Sequence, residues 1–260
     1  MKRIEHTISF TIPNGNYPVF VSRLAEELIS YLTGDIGLSL INRTSSSSEE
    51  RLIFQYKDLK PYICVFVNYS GNQVNIYGTN AFFDGSFQGG ARNTEVISLS
   101  STYTLKTTIR ILMSETFFSI KFNSSALSDI GYYGVALFNV KNFRTGEEKN
   151  VFTGRNCLSF MYDSSTGSSL VQKFGESSFE GVGYAILTPR YNFVGKNTLL
   201  FPAFLSQNFN EVFYTDWYID ELFVSLLGGF TAGAKYRIDG KTYFAVTHRC
   251  LAELTQEIID

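Results

Sequence analysis

Polar and apolar residues alternate along much of this chain, which is the periodicity of strands with one buried face. The segment HTISFTI (residues 6–12) shows the pattern first, and Pro13-Asn14-Gly15 closes it with a turn signal. From residue 52 onward, short runs rich in aromatic and β-branched residues follow one another, separated by turn-forming Gly, Asn, Ser and Pro. Many short strands between turns, with few helical windows, are typical of a β-sandwich or barrel.

One segment, VFVSRLAEELISYLT (19–33), has the 3.6-residue period of an amphipathic helix instead. Its apolar stripe consists of Val21, Leu24, Ala25, Leu28 and Leu32. Gly34 stands where a C-terminal glycine cap is expected. Since the polar face is not basic, we expect this helix to cover a sheet rather than to lie on a membrane.

These elements predict a mainly β fold, sandwich or barrel-like, with an N-terminal amphipathic helix and therefore α+β overall. The polar stretch RTSSSSEER (43–51) is predicted to be a surface loop or hinge. It divides a strand–helix unit (1–44) from a β-rich domain (45–260), with one continuous domain as the alternative.

Composition narrows the classes of function. Of the 260 residues, 16% are aromatic, with 24 Phe, 16 Tyr and one Trp, which favours strands. Only 18% are charged, so uncharged polar side chains must cover much of the surface, as suits a protein assembly or a carbohydrate-facing surface. The net charge is −2 and no basic run stands out, which argues against nucleic acid as a partner.

The cellular context is predicted from what the chain lacks. Three cysteines (Cys64, Cys157 and Cys250) lie far apart in sequence, an odd number that is unremarkable in a reducing compartment. The start MKRIEHTISF has no apolar core of a signal peptide, and no apolar run reaches the ~18–20 residues of a membrane span. We expect synthesis in a cytoplasm, no signal peptide and no membrane partner.

Motifs for catalysis are scarce, so the prediction is a non-enzyme with no cofactor and no metal site. There is no phosphate-binding loop, nucleophile elbow or zinc-protease helix, and EGVGYA (180–185) lacks the third glycine of a nucleotide loop. In TDWYIDEL, Asp216 and Asp220 flank the only tryptophan, Trp217. These three are the candidate ligand-binding residues, because carboxylates beside an aromatic are typical of sugar-binding and sugar-cleaving sites. The alternative is surface acids beside a core tryptophan, in a segment that is either a short helix or a buried strand.

The segment GAKYRIDGKTYFAVTHRC (233–250) holds a histidine and a cysteine two positions apart. A two-residue Asp239-Gly240 turn of type I′ would pair Ile238 with Lys241 and Tyr236 with Tyr243. Continued alternation places Phe244, Val246, His248 and Cys250 on one face. His248 then shares its face with three apolar-type residues, since Cys is among the most often buried residue types, so packing is favoured over metal binding or catalysis by His248 and Cys250.

The closing segment GGFTAGAKYRIDGKTYFAVTHRCLAEL resembles the terminal glycine-to-hairpin segments of structural proteins in tailed-bacteriophage particles. The Met-Lys start, the strand-and-turn texture and the Phe, Tyr, Asn and Ser content add to this resemblance. It implies a virion protein of the tail, baseplate or neck, made in the host cytoplasm, that forms homo-oligomers and contacts other virion proteins. No catalytic residue carries over.

Two glycine-rich loops, DGSFQGGARN (84–93) and LLGGFTAGA (226–234), and the neighbouring aromatic residues are the candidate subunit interface. Its residues are Phe87, Gly89, Gly90, Phe230, Tyr236 and Tyr243. The alternative functions are a carbohydrate-binding β-sandwich that contacts a host surface and a glycoside hydrolase that uses Asp216 and Asp220.

Overall fold

A computed structural model describes part of the 260-residue chain. The described residues are 1–12, 17–46, 49–57, 62–68, 73–79, 82–83, 86–87, 92–96, 104–123, 135–153, 172–173, 184–186, 200–209, 212–225, 230–231, 233–246 and 250–259. They form one helix and 20 strands. In chain order these are β1 (Lys2–Thr11), α1 (Tyr17–Gly34), β2 (Ser39–Ser45), β3 (Glu49–Gln55), β4 (Tyr62–Asn68), β5 (Gln73–Thr79), β6 (Phe82–Phe83), β7 (Ser86–Phe87), β8 (Arg92–Val96), β9 (Thr104–Met113), β10 (Phe117–Asn123), β11 (Val135–Asn142), β12 (Glu148–Thr153), β13 (Gln172–Lys173), β14 (Tyr184–Ile186), β15 (Leu200–Phe209), β16 (Val212–Ser225), β17 (Lys235–Ile238), β18 (Lys241–Ala245), β19 (Cys250–Glu253) and β20 (Gln256–Ile259).

The prediction of a mainly β, barrel-like fold with one N-terminal helix is confirmed. The larger sheet has 13 strands, and its main path runs β17-β18-β19-β16-β11-β10-β9-β1-β20. A five-stranded sheet runs β2-β3-β4-β5-β8, and β6 and β7 form a separate pair. Almost all neighbours are antiparallel; the exception is β20, which is parallel to β1.

Helix α1 fills the space between the two sheets. Its stripe of Val21, Leu24, Ala25, Leu28 and Leu32 is buried, as predicted. The stripe belongs to one apolar cluster with strands β1, β9 and β10 of the larger sheet and β3 and β4 of the smaller one. The helix therefore joins the sheets, and the burial of its apolar face, rather than intrinsic propensity alone, stabilises it.

The larger sheet curls into a half-barrel whose main path of paired strands ends at β17 and β20. Residues 250–259 form two consecutive strands, of which β19 pairs with β16 and β20 pairs with β1. At the junction, the Met1 ammonium donates to the Glu253 carbonyl at 2.5 Å, and the Thr255 amide donates to the Met1 carbonyl at 2.9 Å. Opposite ends of the chain thus meet, which gives the sheet its half-barrel shape.

A second apolar cluster lies inside this curl. Its buried members come from strands of the same sheet and include Phe117, Phe138, Val224, Phe244 and Cys250. In β10 and β11 they alternate with residues of the first cluster, so the central strands are apolar on both faces. Burial on both faces explains why neighbours such as Phe117 and Phe118 are both apolar instead of alternating with polar residues.

Two local predictions are wrong. Residues 43–45 and 49–51 extend β2 and β3, so most of the predicted loop 43–51 is a hairpin. Residues 43–45 are exposed on the terminal strand β2, whereas Glu50 on β3 is buried. The cap at Gly34 is also misplaced: Gly34 is the last helical residue, and the left-handed backbone (φ 81°) falls at Gly37. The division at residues 44 and 45 falls inside β2 and stays a prediction.

Candidate functional site

The segment with the candidate ligand-binding residues is a strand, β16, and not a helix. Because side chains alternate along a strand, Asp216, Tyr218 and Asp220 share one face and Trp217 points to the other. Trp217 is half-buried and packs against the second apolar cluster. The two carboxylates therefore do share a face, but the aromatic ring between them is that of Tyr218.

A register irregularity between β15 and β16 changes which side chains of β16 face the apolar cluster. Phe223 pairs with Pro202 while Ile219 pairs with Ala203, so three residues of β16 lie between consecutive paired positions of β15. After this irregularity the inward positions change from odd to even numbers, and Leu222 and Val224 join Ile219 in the second cluster. Glu221 accepts hydrogen bonds from the Ser114 hydroxyl and, at 2.9 Å, from the Thr116 hydroxyl.

Both candidate carboxylates are ion-paired across strands. Asp220 lies 2.8 Å from the Lys141 ammonium, and Asp216 lies 2.9 Å from the Arg144 guanidinium. Lys141 also contacts Glu148 at 3.3 Å. The hydrogen bond that Lys141 donates to Asp220, followed by the one it donates to Glu148, raises the pKa of Lys141 above its ordinary value. At neutral pH this face therefore carries fixed charges that largely neutralise one another.

The turn between β11 and β12 completes this face. Asn142 Oδ1 accepts hydrogen bonds from the Arg144 and Thr145 amides at 2.9 and 3.0 Å, and Gly146 adopts φ 73°. The Phe143 amide donates to the Asp216 carbonyl at 2.9 Å, which fixes the turn to β16. Phe143 itself is 53% exposed.

Three aromatic rings follow one another across this face. The Phe143 and Phe204 rings meet edge to face with centroids 6.4 Å apart, and the Phe204 and Tyr218 centroids are 6.1 Å apart. We call Phe143, Phe204 and Tyr218, with the Arg144–Asp216 and Lys141–Asp220 pairs, the outer aromatic surface. The sequence pattern identified the carboxylates but not Phe143 and Phe204. Phe143 could have been found from NFRTGEE, because its Asn and Gly indicate a hairpin turn that carries an aromatic residue at its tip.

The candidate interface residues lie in two places. Phe230 and Tyr243 are buried, at 8% and 6% exposure, and Tyr236 is half-buried against Phe230 with ring centroids 4.7 Å apart. Phe87 belongs to β7 and pairs with Phe82, whereas Gly89 and Gly90 lie outside the described residues. The assignment of these six residues to a subunit interface stays a prediction.

The hairpin prediction is confirmed in its first half. Ile238 pairs with Lys241 and Tyr236 with Tyr243, and Asp239 and Gly240 both have positive φ (50° and 79°), as a type I′ turn requires. In the second half, Phe244, Val246 and Cys250 do lie in one apolar cluster, as predicted. The prediction that one continuous strand brings them together is wrong, because β18 ends at Ala245 and β19 begins at Cys250. The Val246 amide donates to the Cys250 carbonyl at 2.8 Å across this turn.

Cys250 is a packing residue. Its thiol is not part of a disulfide and is fully buried in the second cluster beside Phe244 and Val246, and burial raises its pKa well above the ordinary value. A buried thiol held protonated is a poor nucleophile and metal ligand. His248 lies outside the described residues, so its role stays a prediction.

The described residues contain no group of three or more His, Cys, Asp or Glu placed to hold a metal ion. In the same part of the chain, no helix has the length and apolar character needed to cross a membrane. No protein-family model and no curated protein matches this sequence.

Proposed function

We propose that this chain is a non-enzymatic structural subunit of a tailed-phage particle, in the tail, baseplate or neck, that assembles with copies of itself and with other particle proteins. The observation that carries the proposal is the open edge of the larger sheet at β20. Among the described strands, β20 pairs only with β1, and Ile259 on it is 59% exposed. An open edge with an exposed aliphatic side chain is a surface on which another chain can add a strand.

The main paths of the two larger sheets end at β17 and β20 and at β2 and β8, and among these terminal strands β20 and β2 differ in a way that supports this role. At β2 the register shifts between Leu40 and Asn42, and the exposed strand ends in polar residues, features that discourage edge-to-edge pairing. The β20 edge pairs in unbroken register, without Lys, Pro or a bulge. The fold therefore protects one edge and leaves the other available. The low charged fraction of the chain fits a protein whose surface is partly covered by neighbours.

The test replaces Ile259 with lysine and measures mass by analytical ultracentrifugation over a range of protein concentrations. We expect the wild-type chain to sediment as an oligomer and Ile259→Lys to weaken self-association by at least about tenfold, as truncation of a central apolar contact does. Val19→Lys is the matched control, because Val19 is also an exposed aliphatic residue (51%) but lies on α1.

A wild-type chain that stays monomeric at every concentration and does not bind other particle proteins contradicts the proposal. Equal weakening by Ile259→Lys and Val19→Lys contradicts the assignment of the β20 edge. Circular dichroism of both variants, compared with the wild type, shows whether the lysine changed association or folding.

A further inference from the structure

We propose that the outer aromatic surface is a binding site for a neutral oligosaccharide. This goes beyond an assembly role, since it concerns the outward face of β11, β15 and β16 rather than the β20 edge. The site differs from the sequence-based one, because Trp217 faces the apolar cluster and the aromatic contacts come from Phe143, Phe204 and Tyr218.

The first argument is that Phe143 is held in place while exposed. Its own amide donates to the Asp216 carbonyl, and the turn that carries it is closed by three hydrogen bonds to Asn142. The Arg144 guanidinium lies 5.5 Å from the centre of its ring, and Phe204 contacts it edge to face. Exposing a large apolar ring is unfavourable in water, whereas a fixed ring loses little conformational entropy when a ligand stacks on it.

The second argument concerns the charges around the rings. Arg144 is paired with Asp216, and Lys141 with both Asp220 and Glu148, so each cation beside the aromatic residues is already offset by carboxylates of the chain itself. An acidic ligand would have to compete with Asp216 and Asp220 for these cations, and a basic ligand would compete with Arg144 and Lys141 for the acids. A neutral ligand needs no such exchange, and in this sense the surface is complementary to an uncharged partner.

The third argument is that hydrogen-bonding capacity remains. A carboxylate has about four acceptor positions, of which an ion pair uses only part, and the Asp216 and Asp220 side chains are 39% and 45% exposed. Sugar hydroxyls can donate to these oxygens while the C–H face of the ring stacks on an aromatic side chain. A polyhydroxylated, uncharged ring satisfies both parts of the surface, whereas an apolar peptide would satisfy only the aromatic part.

The experiment titrates the full chain with maltoheptaose, cellohexaose, mannohexaose and chitohexaose, using isothermal titration calorimetry and saturation-transfer NMR. We expect at least one of these to bind and Phe143→Ala to weaken that binding by about tenfold or more, as loss of an exposed aromatic anchor does. Phe143→Trp, which keeps an aromatic face, should retain binding. Ile41→Ala is the matched control, because Ile41 is exposed (41%) but lies on β2.

Four results would overturn the proposal. These are no binding of any of the four oligosaccharides to the wild type, binding that Phe143→Ala leaves unchanged, binding of polygalacturonate in preference to neutral sugars, and a protein that occupies the surface while no sugar binds. Emission from the single tryptophan, Trp217, shows whether each variant has kept the fold around β16.

Discussion

Tyr56 illustrates how a buried polar side chain is satisfied at the boundary of the two sheets. It is 2% exposed, its ring contacts Phe118 with centroids 4.9 Å apart, and its hydroxyl donates to the Ser114 carbonyl. Burial, followed by the negative charges of Glu115 and Glu221, raises the pKa of Tyr56 to about 12 from an ordinary value of 10.0. The folded chain therefore favours the protonated phenol, which alone can donate to Ser114.

This environment predicts a loss of stability at alkaline pH. Because the pKa of Tyr56 is higher in the folded chain than in the unfolded one, its contribution is fully present below pH 10 and is lost as the pH rises toward 12. Tyr56→Phe should cost about 1 kcal/mol at pH 7 through the lost hydrogen bond. The free energies of unfolding of the two proteins should then converge between about pH 10 and 11.5, measured by urea titration with tryptophan emission. A difference that stays constant with pH contradicts the assignment.

At the scale of elements, the sequence predicts local structure better than changes of direction between strands. The α1 stripe and the Asp239-Gly240 turn follow from residues close in sequence, and both are confirmed. The return of the chain after Val246 is not predictable in this way, because alternation of apolar residues continues through the sequence up to Cys250. Cys250 still packs beside Phe244 and Val246, because the turn brings it back across the same apolar cluster.

The hairpin turn allows a test with a matched control. Gly240 and Gly34 both have open space where a Cβ atom would be added, but only Gly240 has positive φ (79°). Gly240→Ala should lower the free energy of unfolding by about 1 kcal/mol or more, since an L-residue is strained in the left-handed region. Gly34→Ala, at the end of α1, should have no cost or a slight gain. Thermal unfolding of both variants measures this, and equal effects would show that the turn is not type I′.

In the candidate site, too, local periodicity identified only the residues that lie close together in sequence. Asp216 and Asp220 share a face whether the segment is a helix or a strand, because a spacing of four places two residues together in either. Only the strand puts Trp217 on the opposite face, and only the pairing of β11 with β16 brings Lys141 beside Asp220. Phe143 lies about 70 residues before Asp216 and Tyr218, so local periodicity could not assign it to the site. Phe204 lies opposite Tyr218 on the neighbouring strand β15, but the register shifts between β15 and β16 keep this pairing from being derived by counting residues.

At the scale of the whole molecule, a series of ion pairs with alternating charges connects β20 and β17, the two ends of the larger sheet's main path. Arg110 contacts Glu5 at 3.3 Å, Glu5 contacts Arg3 at 2.5 Å, Arg3 contacts Glu257, and Glu257 contacts Lys235 at 2.5 Å. The chain of charges thus joins β9, β1, β20 and β17. Arg3 is only 9% exposed, and its guanidinium lies 4.8 Å from the centre of the Phe244 ring. Its position links both carboxylates to the apolar cluster inside the curl.

Replacing Arg3 should therefore loosen the closure of the sheet. Arg3→Met keeps an apolar stem against Phe244 and removes the cation that Glu5 and Glu257 share, although Glu5 keeps Arg110 and Glu257 keeps Lys235. The expected cost is about 2–3 kcal/mol, below that of a buried charge left with no partner. For a chain of this length that cost corresponds to a fall in Tm on the order of 5–10 °C. Arg23→Met is the control, since Arg23 pairs with Glu27 on the exposed side of α1 and should cost less than about 1 kcal/mol. The hydrogen-exchange rate of the β20 amides should rise in Arg3→Met and stay unchanged in Arg23→Met. Equal Tm shifts in the two variants would mean that the ion pairs of Arg3 do not hold the ends of the sheet together.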